Sequence, residues 1–179
     1  NISFPRFGET RFDLVTPNGT AAVDFPLNGR HNILNALAAA AAGYTFGMTA
    51  AEVAAALASV VPPPQRGEVL HFNNGFTVVN DSYNSNPAAL LSMVATLIEG
   101  GGSAKRKIVV AGEMLELGDD ERSIHRQVGE EIAGMGVDKL IGVRGLAEEL
   151  VAGARDAGLA DAEFAEDSDA AGSLLLDQI

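Results

Sequence analysis

The sequence predicts an α/β fold whose C-terminal part is a doubly wound, mostly parallel sheet, preceded by a β-hairpin and two helices. Two observations carry this. From about residue 105, short apolar runs alternate with helical patterns, which is how a parallel sheet with crossover helices reads. Apolar residues make up 47% of the chain while aromatics are only 6% and Trp is absent, so the core is built mainly of Ala, Val, Leu and Ile.

The elements follow in order. Residues 1–27 read as a hairpin: Phe12 and Leu14 alternate with polar neighbours, Thr16-Pro17-Asn18-Gly19 supplies turn chemistry, and 21–25 partly alternates again. Residues 28–60 are helical. Ile33, Leu34, Leu37 and an alanine run follow Gly29 and Asn32, and Gly43 closes that pattern. Thr49 and Glu52 form a capping box for a second helix reaching about Ser59. Pro62-Pro63-Pro64 then favours extended geometry and makes a semi-rigid linker, so a domain boundary is expected there, with 1–61 on one side and 62–179 on the other.

After the prolines, runs 69–72 and 76–79 flank Asn73-Asn74-Gly75, and Asn-Gly is a strong hairpin signal. A helix is expected over 88–98, then strand 107–111, apolar enough to be buried on both faces. Helix 121–133, strand 139–143, helix 146–157, a weak strand 162–165 and a helix from Ser168 complete a Rossmann-like series. The chain opens without Met on strands that lack a partner, and it closes at a helix that a strand would normally follow. Both ends therefore read as cut.

Composition excludes several function classes. A formal net charge of −12 argues against nonspecific nucleic-acid binding and against an anionic membrane surface. It leaves room for a phosphate ligand, which backbone N–H groups and a single Arg can hold. With no Cys there is no disulfide, thiolate metal site or cysteine nucleophile, which fits a reducing cytoplasm. The apolar run 36–42 is too short to span a membrane, and no signal-peptide pattern is present, so a cytoplasmic location is expected.

Four clusters could carry chemistry. Asn80-Asp81-Ser82-Tyr83-Asn84-Ser85-Asn86-Pro87 crowds a carboxylate, a phenol, hydroxyls and amides between a strand and a helix start. Ligands bind outside such strand ends in open α/β sheets. Asn86 is a plausible N-cap and Pro87 suits the first turn, so a capped polar turn is the competing reading. In Gly29-Arg30-His31-Asn32-Ile33-Leu34-Asn35, Asn32 and Asn35 share a helix face and could read the edge of a base; a cap and a surface amide are the alternative. Arg66, just past the prolines, could reach an anion held between domains, or be a solvated loop residue. Gly112-Glu113-Met114-Leu115-Glu116-Leu117-Gly118 lies at another strand end, with Ser123 and His125 on the next helix; His125 taken alone reads as a surface histidine. No phosphate loop, dinucleotide fingerprint or metal-ligand spacing is present. Tyr83 occupies the position where a haloacid-dehalogenase-type site needs a second Asp, and the acidic pair and Lys of a receiver domain are not evident.

Taken together and in this order, the clusters resemble the Mur ligase family. The resemblance rests on Gly-x-His-Asn-x-x-Asn-Ala-Leu-Ala-Ala from Gly29 to Ala39, on Arg66, and on Asp-Ser-Tyr-Asn-x-Asn-Pro from Asp81 to Pro87, where Ser85 replaces Ala. It also rests on Gly-x-Met-Leu-Glu-Leu-Gly from Gly112 to Gly118, where Glu113 replaces Asp, followed by His125, Val128 and Gly129. The Tyr-Asn-x-Asn-Pro part points to the branch that joins D-alanyl-D-alanine to a UDP-N-acetylmuramoyl tripeptide in peptidoglycan precursor synthesis.

The resemblance implies an ATP-dependent amide ligase working through an acyl phosphate. Residues 1–61 would be the tail of a central ATPase domain, and 62–179 a truncated C-terminal domain that receives the amino substrate. The phosphate loop, a carbamylated lysine and the Mg2+ ligands are expected outside this chain, with no metal ligand inside it, and the chain is not expected to turn over alone. His31, Asn32, Asn35, Arg66 and Asp81 would hold ATP, with Asn32 and Asn35 at the adenine, Asp81 at the ribose and Arg66 at the phosphates. Arg66, Tyr83, Asn84, Asn86 and His125 would form the catalytic side of the cleft, with Glu116 a further candidate. A monomer with no nucleic-acid and no membrane partner is expected. The alternatives are a non-enzymatic nucleotide-binding α/β module and a folylpolyglutamate-synthase-like ligase; a phosphate loop and a uridine-binding domain encoded upstream would discriminate.

Overall fold

The computed structural model describes residues 1–102, 104–176 and 178. Its contacts divide the chain into two compact units, Asn1–His71 with Thr77–Asp81, and Phe72–Phe76 with Ser82–Ile179.

The first unit opens with an antiparallel sheet in the order β1 (Ile2–Arg6), β2 (Glu9–Thr16), β3 (Gly19–Phe25). The expected hairpin is β2–β3, with Thr16 opposite Gly19 across Pro17-Asn18. Strand β1 is an addition. Its side chains are nearly all exposed and its register slips between Ser3 and Arg6, so no alternation betrays it in the sequence. Phe12, Leu14, Val23 and Phe25 point to one face and are buried there, with the Phe12 and Phe25 rings meeting edge to face at 6.2 Å. That face is covered by α1 (Arg30–Thr45) and α2 (Ala50–Ala58) through Ile33, Ala36, Ala40, Val53, Ala54 and Leu57. The capping box is formed: Thr49 accepts from the Glu52 N–H, and Glu52 accepts from the Thr49 N–H. Beyond the prolines, β4 (Glu68–His71) and β5 (Thr77–Asn80) pair antiparallel.

In the second unit, α3 (Pro87–Gly100) starts at the N-cap Asn86, whose side chain accepts the Ala89 N–H. A parallel sheet follows in the order β6 (Ile108–Gly112), β7 (Lys139–Val143), β8 (Ala162–Ala165). The crossovers are α4 (Glu121–Gly134), preceded by a short 3-10 turn at Gly118–Asp120, and α5 (Ala147–Asp156). After β8 comes α6 (Ser168–Leu176). Asp177 and Ile179, in the expected C-terminal stretch, lie outside the described residues.

At β7 the sheet is covered on both faces, as double winding requires. Alternation along β7 sends Leu140 into a cluster with Val94, Val128, Ile132 and Leu150, and Ile141 into a separate one with Ala171, Leu174 and Leu175. Lys139 opens β7 almost fully buried, and its Nζ pairs with Asp161 at 2.6 Å and with Glu163. Two partners from β8 and its approach offset the loss of water around that ammonium.

One expectation is corrected. The apolar run at 107–111 is not buried on both faces: β6 is an edge of the described sheet, and Val110 is 48% exposed while Val109 and Ala111 are buried. Central β7 has the doubly buried pattern. An apolar run alone does not reveal which strand is central. Strand β5 stands outside that sheet, as the hairpin signal implies. Among the described residues it is hydrogen-bonded only to β4, because the Asn73-Asn74-Gly75 turn folds it back on its predecessor.

Helices α4 and α5 cross where each offers a glycine. A Cβ on Gly129 would run into the Leu150 carbonyl, and one on Gly153 into the Arg126 carbonyl. The backbones touch where side chains would hold them apart. Arg122 pairs with Glu149 and Arg126 with Asp156 beside that contact. Gly129→Ala and Gly153→Ala are each expected to cost ~1–3 kcal/mol through overpacking, read from urea unfolding; a midpoint equal to the parent's would mean the crossing is looser than described.

Candidate active site

Strand register builds the site of the first unit. Pairing Glu68 with Asn80 puts Gly67 beside Asp81, one step past the end of the ladder. There the Gly67 N–H donates to the Asp81 carboxylate. The turn leading in is left-handed at both Gln65 (φ 60) and Gly67 (φ 70). The Glu68 carboxylate ties it down, accepting from the Gln65 N–H at 3.2 Å and from the Asn80 amide at 3.3 Å. Arg66 is exposed between these residues, close enough for its charge to act on Asp81.

His31, in the first turn of α1, also faces Asp81 electrostatically. The helix begins at Gly29 (φ 87), which has no side chain to cap it. Asn32 therefore does not cap. Its amide donates back to the Asn28 carbonyl at 2.8 Å, and its side-chain oxygen accepts from Asn35 at 3.2 Å. The two asparagines do share a face, with Asn35 exposed at the end of the chain of bonds. Asn28 escaped sequence reasoning. It is 5% exposed and its side-chain oxygen accepts the Gly8 N–H at 2.8 Å, anchoring the β1–β2 turn to the helix start; its amide nitrogen is buried with no partner among the described residues. A polar residue just before a helix-opening glycine was the available signal.

Burial dominates the titration of both central groups. It pushes the Asp81 carboxyl above its ordinary value, against the pull of the Gly67 N–H, His31 and Arg66. It pushes the His31 imidazole below its ordinary value, against the pull of Asp81. Each group is thus biased towards its neutral form, as charges partly drawn out of water are.

The remaining expected residues belong to the second unit. Tyr83 is 64% exposed, and Asn84 accepts the N–H of its neighbour Ser85 at 2.9 Å. Asn86 is exposed and engaged as the α3 cap. His125 departs from the surface histidine the sequence suggested. It is fully buried, because its position on α4 faces inward with Val128 and Ile132, and its ring contacts the Met114 N–H and the Glu121 carbonyl. Glu116 is exposed with φ 63. Glu113, which the sequence marked only as a replacement for Asp, accepts the Leu146 N–H at the start of α5 at 2.9 Å. Among the described residues, no three His, Asp or Glu side chains gather as a metal site, and no helix is long and apolar enough to cross a membrane.

The raised Asp81 value sets a sign. The folded state holds that proton more tightly than the unfolded chain does. The resulting stabilisation is complete below the ordinary value of 3.8 and is lost as pH rises through the raised one. For His31 the stabilisation is present above its ordinary value of 6.5 and is lost as pH falls through its lowered one. Asp81→Asn keeps an oxygen for the Gly67 N–H and removes the desolvated charge. It is expected to raise the thermal unfolding midpoint at neutral pH, with the gain disappearing below pH 3.8. The same variant withdraws the charge that supports the His31 proton, so the imidazole should titrate lower still by NMR. A His31 curve that does not move would remove the Asp81–His31 interaction.

Comparison with known proteins bears on this geometry. The family described as Mur ligase, glutamate ligase domain, matches residues 65–179, more than half of the chain. The chain is 38% identical over 134 residues to the UDP-N-acetylmuramoyl-tripeptide--D-alanyl-D-alanine ligase of Escherichia coli, covering 75% of this chain and 29% of that protein. It is 34% identical over 117 residues to the Bacillus subtilis enzyme of the same name, covering 64% of this chain and 25% of that one. It thus spans under a third of the length of these relatives. The fold is that of MurF from Acinetobacter baumannii, with a TM-score of 0.86 at 24% identity over 99% of this chain and 37% of that one. It is also that of MurF from Thermotoga maritima, solved in complex with ADP, with a TM-score of 0.81 at 21% identity over 99% of this chain and 40% of that one. The matched stretch holds Arg66, Asp81, the Tyr83–Asn86 segment and His125, and on the strength of that match the chain belongs to the Mur ligase family.

Proposed function

We propose that this chain is part of an ATP-dependent ligase that joins D-alanyl-D-alanine to a UDP-N-acetylmuramoyl tripeptide in the cytoplasm. The supporting observation is the half-buried Asp81, set beside the Gly67 N–H and under the charges of His31 and Arg66. The relatives' names supply the substrates, and the ADP complex of the Thermotoga maritima protein supplies the nucleotide.

A carboxylate is a poor electrophile at neutral pH, so the tripeptide carboxylate must be activated. Phosphoryl transfer from ATP makes the acyl phosphate, the dipeptide amine attacks its carbonyl carbon, and the tetrahedral intermediate collapses with loss of inorganic phosphate. The protein supplies position and charge. In this reading Asp81 accepts from the ribose hydroxyls. Asn35, oriented by Asn32, meets the edge of the adenine, and the largely neutral His31 lies beside the nucleotide. Arg66 neutralises phosphate charge. Tyr83, Asn84 and Asn86 shape the cleft for the dipeptide or the acyl phosphate. His125, with both ring nitrogens engaged, acts by holding backbone rather than by moving a proton. Mg2+ would be held by residues outside this chain. Pro62-Pro63-Pro64 marks the passage from the central domain to the C-terminal one, and the ligase acts as a monomer.

The test uses the longer protein that contains this chain. Asp81→Ala removes hydrogen bonds to a charged acceptor, so the KM for ATP should rise about 10- to 100-fold with the KM for dipeptide little altered. Arg66→Ala should lower kcat as well, since the charge it meets grows during phosphoryl transfer. ATP kinetics untouched by Asp81→Ala would take that residue out of the nucleotide site.

A further inference from the structure

The segment from Glu113 to Leu117 leaves the carboxyl end of β6 and is fixed from two directions. On one side stands His125. Its Nδ1 lies 2.7 Å from the Glu121 carbonyl, which can only accept, so Nδ1 carries the proton. Its Nε2 then has the lone pair, and it accepts the buried Met114 N–H at 2.9 Å. The tautomer is dictated by two backbone groups.

On the other side stands Glu113. Its carboxylate accepts the Leu146 N–H at 2.9 Å, where α5 begins and the first-turn N–H groups have no helical acceptor. Gly145, at φ 53, leaves the space: a Cβ there would run into the Glu113 carboxylate. The intervening Met114 side chain is 1% exposed within the core, and Leu117 packs against the same cluster.

Between Met114 and Leu117 lies a two-residue tip. Leu115 is 65% exposed, and Glu116 is exposed in the left-handed region at φ 63. A residue with a side chain adopts that conformation when its surroundings over-determine it. Here the residues before the tip are held by a buried imidazole and by a carboxylate on a helix start, and Leu117 after it packs on the core. The core gains nothing from the tip itself, whose two side chains it leaves in water.

Resting on the ligase reading above, we infer that the Leu115-Glu116 tip is a preset contact for the amino substrate, and that His125 and Glu113 are its positioning residues. The chemistry fits a small dipeptide with an amino terminus and methyl side chains. Leu115 offers apolar area to a methyl group, and Glu116 attracts the ammonium before it gives up its proton. A preset tip spares the ordering of a loop at each binding event. The tip contacts the dipeptide and the two anchors act through it, so their loss should appear in one substrate's KM and not in the other's.

The experiment is steady-state kinetics of the longer protein, with D-alanyl-D-alanine varied at saturating ATP and ATP varied at saturating dipeptide. His125→Leu removes the acceptor and should raise the dipeptide KM about tenfold or more with the KM for ATP unchanged. His125→Gln, whose side-chain oxygen can take the place of Nε2, should restore most of the loss. Gly145→Ala, which displaces Glu113, should repeat the His125→Leu signature. Leu115→Ser and Glu116→Gln alter only exposed side chains, so they read the contact even where a buried variant fails to fold. Each should raise the dipeptide KM while thermal unfolding stays put. Unaltered dipeptide KM in both tip variants overturns the inference. So does a His125→Leu enzyme in which both KM values and kcat change together without rescue by Gln. A parent enzyme that does not ligate D-alanyl-D-alanine at all overturns the ligase reading and this inference with it, and it does so before any variant is made.

Discussion

A carboxylate drawn halfway out of water needs donors, and the site of the first unit follows from how Asp81 obtains them. The donor fixed by backbone is the Gly67 N–H, and it is there because β4 and β5 pair with Glu68 opposite Asn80. A slip of one residue would turn the Asp81 side chain to the other face and part it from Gly67. The register is in turn set by the Asn73-Asn74-Gly75 turn, where Gly75 has φ 89. So a short turn at the far end of the hairpin decides whether the carboxylate is held. The compensation is incomplete, since burial still raises the Asp81 proton affinity. A residue kept under such strain is better explained by a ligand that completes its shell than by stability.

The second unit uses the same economy of backbone contacts. Gly129 and Gly153 let α4 and α5 touch along their main chains, which brings the start of α5 within reach of the loop after β6. The buried His125 reaches that loop from α4. One helix pair therefore provides both anchors of the Glu113–Leu117 segment, and the closeness of the pair is what lets a single glutamate bridge them. The substitution of Glu for Asp at position 113 adds one methylene of reach to the carboxylate that meets Leu146.

Local signals were legible in the sequence and long-range ones were not. The Thr49–Glu52 box, the Asn86 cap with Pro87, and the Asn-Gly hairpin each depend on residues a few positions apart, and each formed as read. The alternating series after residue 105 gave the parallel sheet because each crossover helix forces that arrangement. What stayed hidden depends on partners far along the chain. Strand β1 has no buried side to give it a period. Val110 is exposed because the cluster that covers its face of the sheet gathers on β7 and β8, which an apolar run does not disclose. His125 was legible as a candidate and not as a buried bracket, since its partner Met114 is a backbone N–H and carries no sequence identity. The same holds for Gly67 at Asp81. The residue types at the candidate site could be named from the sequence, and the main-chain groups that aim them could not.

The charge of the chain bears on how a nucleotide could be held at all. With a net charge of −12, the long-range field repels an anion. Screening at physiological salt limits that repulsion to about 8 Å, so what matters is the composition within one such length of the phosphates. Near Asp81 the acidic excess is countered by Arg66, whose charge acts on that carboxylate. Arg66 is therefore more than one basic residue among 12. In the function proposed above, it is this exposed guanidinium that meets the phosphates.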